Sequence, residues 1–141
     1  RPKQVDRDGK TLAQLRAMHE PYFEMIEGHV KELNQRIPGA NIVVVPCGEA
    51  VMALREKVIR GEAPGVRTQG ELFTDVLGHP GPQIRVLTGY CHFSVIYRRS
   101  PVGLPVISQL AKLPEAEKLN RQLQEIAWKA VTGHPLSGVT K

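Results

Sequence analysis

"NIVVVPCG", residues 41–48, is the stretch on which the fold turns. Ile42, Val43, Val44 and Val45 are β-branched and consecutive, so no polar face is left. A strand that is apolar on both faces belongs in the middle of a parallel sheet, with helices covering either side. The surrounding chain is punctuated for helices. Upstream, Thr11 and Gln14 stand in capping-box spacing, where hydroxyl and amide satisfy each other's loose backbone donors. Leu12, Leu15, His19, Tyr22, Ile26, Val30, Leu33 and Ile37 then recur every three or four residues, which predicts a long amphipathic helix. Pro21 falls within it and predicts a kink or a restart, and Pro38-Gly39 ends it.

Downstream, Gly48 opens a second helix over about 49–60, with Val51, Leu54 and Val58 inward and Gly61 as its stop. Residues 61–70 read as a loop. A third helix over about 82–97 is apolar on most sides and is expected to be buried. After the connector "SPVGLP", a last helix over about 114–131 turns Leu119, Leu123, Ile126, Ala127 and Ala130 toward the core. One buried strand cannot stand alone, because its backbone groups need neighbours on both edges. With Arg1 rather than Met at the start, the simplest expectation is a truncated piece whose sheet is completed by missing chain, the other being a strand contributed by another subunit. The fold class expected is therefore α/β, a three-layer α/β/α flavodoxin-like architecture. It is present as an incomplete C-terminal portion, mostly helices with one clear buried strand. Residues 1–10 read as a linker or truncated connection, 11–133 as the domain portion and 134–141 as a tail.

The 141 residues are enough for one domain, and an apolar content of 41% is enough to bury a core. An aromatic content of 5% argues against a stacking platform for single-stranded nucleic acid. No apolar run reaches the length of a transmembrane segment, and no signal peptide is recognisable. The net charge of +5 lies wholly in residues 81–141, at Arg85, Arg98, Arg99, Lys112, Lys118, Arg121, Lys129 and Lys141 against few acids. Basic halves can attract phosphate polymers, but charges spread singly along helices usually form a solvated face, so nucleic acid is not the expected partner. Cys47 and Cys91 make no disulfide framework and read as small packed thiols.

The candidate site is in "ELFTDVLGHPGP", residues 71–82, where Asp75 and His79 stand four positions apart before a buried helix. A carboxylate that bonds one imidazole nitrogen fixes the tautomer and leaves the other nitrogen able to take a proton from a nucleophile. The alternative is that Asp75 caps a turn and His79 is a polar loop residue. From Asn41 to Gly133 the order is the strand with "VPCGEA", a helix, "GELFTDVLGHP", an apolar helix with Gly89-Tyr90, "SPVGLP", and a closing amphipathic helix. This order resembles the C-terminal part of SGNH/GDSL-type hydrolases, esterases and lipases whose last block holds the catalytic Asp and His as D-x-x-H. "LF-x-D…HP…GY" with "SPxGLP" resembles a branch common in bacteria rich in secreted sugar-processing enzymes. The resemblance covers about two thirds of the chain.

The resemblance implies that Asp75 is the orienting acid and His79 the general base of a Ser-His-Asp triad. It implies a small-molecule or carbohydrate ester as substrate, no cofactor, no metal, and an exported or periplasmic setting. The chain departs from the pattern in two ways. Val76, Leu77 and Gly78 separate the pair where the family has two residues, and Gly78 is the residue able to absorb the extra length. No Gly-Asp-Ser block occurs, and Ser94, Ser100, Ser108 and Ser137 fall in a buried helix, connectors or the tail. The nucleophile and oxyanion donors are then expected upstream of Arg1, and this chain by itself is expected to be inactive. The other reading is a noncatalytic scaffold or interaction protein derived from the same fold. Elsewhere, adjacent Cys91 and His92 on a helix point to different faces, so joint metal binding is not expected. Cys47 has no base identifiable beside it, and Arg98-Arg99 is expected at a helix C-terminus, where positive charge is favoured.

Overall fold

The computed structural model describes residues 6–140. The first five residues of the linker expected at 1–10 and the charge of Lys141 lie outside the described residues. The described residues fold into four helices, α1 Leu12–Arg36, α2 Cys47–Ile59, α3 Pro82–Tyr97 and α4 Ala116–Gly133, with a 3-10 turn at Gln69–Leu72 between α2 and α3.

The helix ends follow their local chemistry. Thr11 Oγ1 accepts from Gln14 N–H at 3.2 Å while Thr11 N–H donates to Gln14 Oε1 at 2.9 Å, the reciprocal pair that the sequence predicts. The α1 helix runs through Pro21 without restarting. Pro82 opens α3, where its missing N–H costs no helical bond, and Arg98 ends α3 in the left-handed region at φ 50°. Arg98 and Arg99 are exposed beyond that helix end, as their positions predict.

The core lies among α2, α3 and α4. Leu54 from α2, Leu87 and Cys91 from α3, and Leu119, Leu123 and Ala127 from α4 are fully buried there. Each buried leucine contributes roughly 1.5–3 kcal/mol relative to exposure. A polar network ties α4 to α3 and to the connector between them: Tyr90 O–H donates to Asn120 Oδ1 at 2.6 Å, and Gln124 Nε2 donates to Leu104 O at 2.8 Å. By contrast α1 buries only Leu15, and Met18, Tyr22 and Met25 face solvent.

The α/β/α expectation is overturned. Among the described residues there is no strand and no sheet; the one ladder-like contact is an isolated bridge between Phe73 and Pro80. Residues 41–46 form no regular element, and Ile42 and Val43 are exposed. Their backbone groups find other partners. The Asn34 side chain accepts from Ile42 N–H at 2.8 Å and donates to Ile42 O at 2.9 Å, and Val44 N–H donates to Leu136 O at 2.9 Å. A β-branched run favours extension, but extension becomes a sheet only where a second edge is offered. Here an asparagine and the C-terminal segment supply the partners. That segment is docked: Ser137 and Val139 are buried, with Ser137 Oγ donating to Val131 O at 2.7 Å.

Arg7 and Asp8 are docked as well. Arg7 lies 4.1 Å over the Phe73 ring, and Asp8 Oδ1 accepts from Gln69 N–H at 2.6 Å. They pack against the 69–79 segment that holds the Asp/His pair.

Candidate functional site

Residues 72–81 form a pinned corner between the 3-10 turn and α3. Gly81 N–H donates to Leu72 O at 2.7 Å and Thr74 N–H donates to His79 O at 2.9 Å, which draws the two ends together. Asp75 organises the inside. Its Oδ1 accepts from the backbone N–H groups of Leu77 at 3.0 Å, Gly78 at 3.0 Å and His79 at 3.2 Å. Its Oδ2 meets His79 Nδ1 in a short hydrogen bond. Gly78 adopts φ +95°, a left-handed angle closed to most side chains, within the turn between Asp75 and His79. Across the corner, Arg7 Nη2 donates to Asp75 O at 3.3 Å and Val76 O at 3.1 Å.

The hydrogen bond from the His79 ring, then that from the His79 backbone, holds the Asp75 carboxyl below the usual carboxylate range. An ionised Asp75 can only accept, so Nδ1 carries the shared proton, and in the neutral imidazole Nε2 is then the nitrogen with the lone pair. The His79 side chain is 66% exposed, and its Nε2 makes no hydrogen bond among the described residues. The corner thus brings together the two residues singled out from the sequence, in the arrangement of an imidazole oriented by a carboxylate. It does not bring a hydroxyl nucleophile. Ser94 is buried in α3, Ser137 is buried at the C-terminal segment, and Ser100 Oγ accepts from Val102 N–H. The hydroxyl at the corner itself is Thr74, which donates to His79 O at 3.3 Å and not to the ring.

Beside the corner a cleft of about 660 Å³ opens between α1, the start of α2 and the 73–78 segment. Leu77 and Gly78 form part of its wall, with Tyr22, Phe23, Met52 and Cys47. The wall is mainly apolar, and Arg7 and Arg55 supply positive charge. Arg55 is 8% exposed, and its Nε donates to Gln69 Oε1 at 2.8 Å. Burial, reinforced by the neighbouring Arg7, lowers its affinity for its proton.

Comparison with protein-family models, curated proteins and solved structures finds no match. The resemblance to SGNH/GDSL-type hydrolases therefore gains nothing from relatives. Its α/β/α component, and the sheet-based hydrolase description that went with it, are set aside by the helical fold.

Two further clusters escaped the sequence reading. Cys47 is the first residue of α2 and half-buried, and its Sγ lies 3.9 Å from His92 Nδ1. The sequence signal was the position of Cys47 at a helix start, where a thiolate is favoured; its partner in α3 was not readable. Cys91 and His92 do point to different faces, one buried and one exposed, as their adjacency requires. The second cluster is Glu27, Glu49 and His134, whose ligand-capable atoms lie within 4.8 Å of one another. His134 Nε2 is 3.1 Å from Glu27 Oε1 and 3.6 Å from Glu49 Oε1. His134 Nδ1 accepts from Leu136 N–H at 3.1 Å, so Nε2 is the nitrogen that carries the proton. A metal at Nε2 would need that proton removed while Nδ1 stays unprotonated. The cluster accordingly serves as a hydrogen-bonded clamp joining α1, α2 and the end of α4.

Proposed function

We propose that Asp75 and His79 are the acid–base half of a site for ester hydrolysis. Asp75 orients the imidazole, and Nε2 takes the proton of an attacking hydroxyl supplied by polypeptide outside these residues. The observation that supports this is the bond between Asp75 Oδ2 and His79 Nδ1, with Oδ1 fixed by backbone donors and Nε2 open. Three N–H groups on one oxygen lock the carboxylate, so the imidazole it holds is locked too. The neighbouring apolar cleft is suited to the acyl or leaving portion of a small ester.

The experiment is turnover of a short-chain nitrophenyl ester by the complete gene product, with His79→Ala and Asp75→Asn as variants. Loss of the base or of its orienting acid is expected to lower kcat by about 10³–10⁴-fold. Unchanged turnover in His79→Ala would refute the assignment.

A second reading, a noncatalytic helical scaffold, is favoured by one observation: Arg7 reaches across to the carbonyls of Asp75 and Val76, so the same corner also anchors the opening segment. Under that reading the complete product lacks esterase turnover, and Asp75→Asn changes only the stability of the corner.

A further inference from the structure

Arg55 is a buried cation that the fold leaves without an acid. It belongs to α2, is 8% exposed, and forms no ion pair among the described residues. Its bond from Nε to Gln69 Oε1, at 2.8 Å, fixes the plane of the guanidinium. Its two terminal nitrogens have no hydrogen-bond partner among the described residues. Burying a charge costs free energy that a salt partner ordinarily offsets. Here the offsets are partial. The Phe73 ring centroid lies 5.9 Å from the guanidinium, and Asp8, which favours the cation, uses Oδ1 to accept from Gln69 N–H. Arg7 opposes it as a second guanidinium over the same ring, and is itself committed to the carbonyls of Asp75 and Val76. Asp6, the acid of the cleft wall, uses Oδ1 to accept from the N–H groups of Asp8 and Gly9.

The same side chain forms part of the wall of the cleft beside α1, with Leu15, Met18, Tyr22, Phe23 and Met52 among its apolar neighbours. Met18 and Tyr22 are open to solvent there, at 57% and 58% exposure. We propose that this cleft binds an organic carboxylate with an apolar body, the carboxylate on the terminal nitrogens of Arg55 and the body against Met18, Tyr22 and Phe23. A carboxylate suits the site better than a phosphate. A planar fork with two free nitrogens matches two coplanar oxygens, and the second arginine is held elsewhere. The volume of about 660 Å³ is that of a small-molecule site. Lys10, also in the wall, adds to its positive charge. Burial, then Arg7, lowers the affinity of Arg55 for its proton, and a bound anion opposes both effects. The inference goes beyond the ester reading, because it requires neither Asp75 nor His79.

The test is calorimetric titration of the full chain at neutral pH with octanoate, octan-1-ol, octylammonium and octyl phosphate. Octanoate is expected to bind once per chain and about tenfold or more tighter than octan-1-ol, with no saturable heat from octylammonium. Arg55→Met should weaken octanoate by about 10–100-fold and leave octan-1-ol at parental strength, which an unfolded variant could not do. Tyr22→Ala, at an exposed position of α1, should weaken octanoate and octan-1-ol alike by about 3–10-fold. That variant and the selectivity of the parent keep the test decisive even where Arg55→Met does not fold. No saturable binding of octanoate would overturn the proposal, as would octan-1-ol or octylammonium bound as tightly as octanoate. So would octanoate bound at parental strength by folded Arg55→Met, or tighter binding of octyl phosphate. The readout is binding without turnover, so its failure and a failure of the acid–base pair are told apart.

Discussion

Replacing Tyr90 by Phe removes a single oxygen from the seam between α3 and α4, and the structure sets the size of the effect. That oxygen donates its proton to Asn120 Oδ1 at 2.6 Å and lies 3.4 Å from Gln124 Nε2. Gln124 keeps Leu104 O at 2.8 Å and Gly103 N–H at 3.1 Å, so its loss is small. Asn120 is 4% exposed and its Oδ1 has no other partner among the described residues, which leaves a buried acceptor unpaired. The expected cost is about 1–3 kcal/mol. Asn120→Leu strands the Tyr90 hydroxyl in the same way, while Leu104 O retains its bond from Gln124. The double variant Tyr90→Phe/Asn120→Leu removes both partners, so it should lose less than the two single losses added together, by about 1 kcal/mol or more. Urea unfolding followed by far-ultraviolet circular dichroism and by the fluorescence of Trp128, the sole tryptophan, measures all four proteins. A Tyr90→Phe change within about 0.5 kcal/mol of the parent, or strictly additive losses, would refute the reasoning.

Three other outcomes follow from the same contacts. Leu54→Ala empties the middle of the core at a residue with no exposed surface and should cost about 2–5 kcal/mol in the same unfolding assay; under about 1 kcal/mol would mean that α2 is not seated as described. Gly65 has φ +69°, and a Cβ there would lie 2.3 Å from Pro114 O, so Gly65→Ala should lower stability by at least about 1–3 kcal/mol, read as a drop in melting temperature. Asp75 is held below its ordinary value of 3.8, so what it contributes to the corner is complete above that value and is lost as pH falls through the lower, folded value. Amide exchange at Leu77, Gly78 and His79 should therefore gain a local opening component below about pH 4 that Asp75→Asn shows already at neutral pH. Equal protection in parent and variant at neutral pH would remove Asp75 from its organising role.

The helices were legible because each is signed locally. Thr11 and Gln14 announce the start of α1, Pro82 that of α3, and Gly61, at φ +70°, follows α2 as the sequence requires. The misreading at 42–45 has an equally definite cause. Side-chain branching reports a preference for extended backbone, but a sheet depends on who supplies the adjoining edge, and that is a long-range fact. Asn34, eight residues before Ile42, satisfies both backbone groups of that residue, and Leu136 reaches Val44 from the far end of the chain. No periodicity within 41–48 encodes either partner.

The same distinction separates the two chemical clusters. Asp75 and His79 are four residues apart, and a loop tightened by backbone bonds to one carboxylate oxygen brings them together without help from the core. Their meeting is a local event, so their spacing could be read in advance. Cys47 and His92 are separated by 45 residues and meet only because α2 and α3 pack through Leu54 and Leu87. A sequence reading weighs Cys47 without its neighbours and finds an ordinary thiol; packing supplies the imidazole beside it. Both clusters border one cleft, Leu77 and Gly78 from the Asp/His corner and Cys47 from α2.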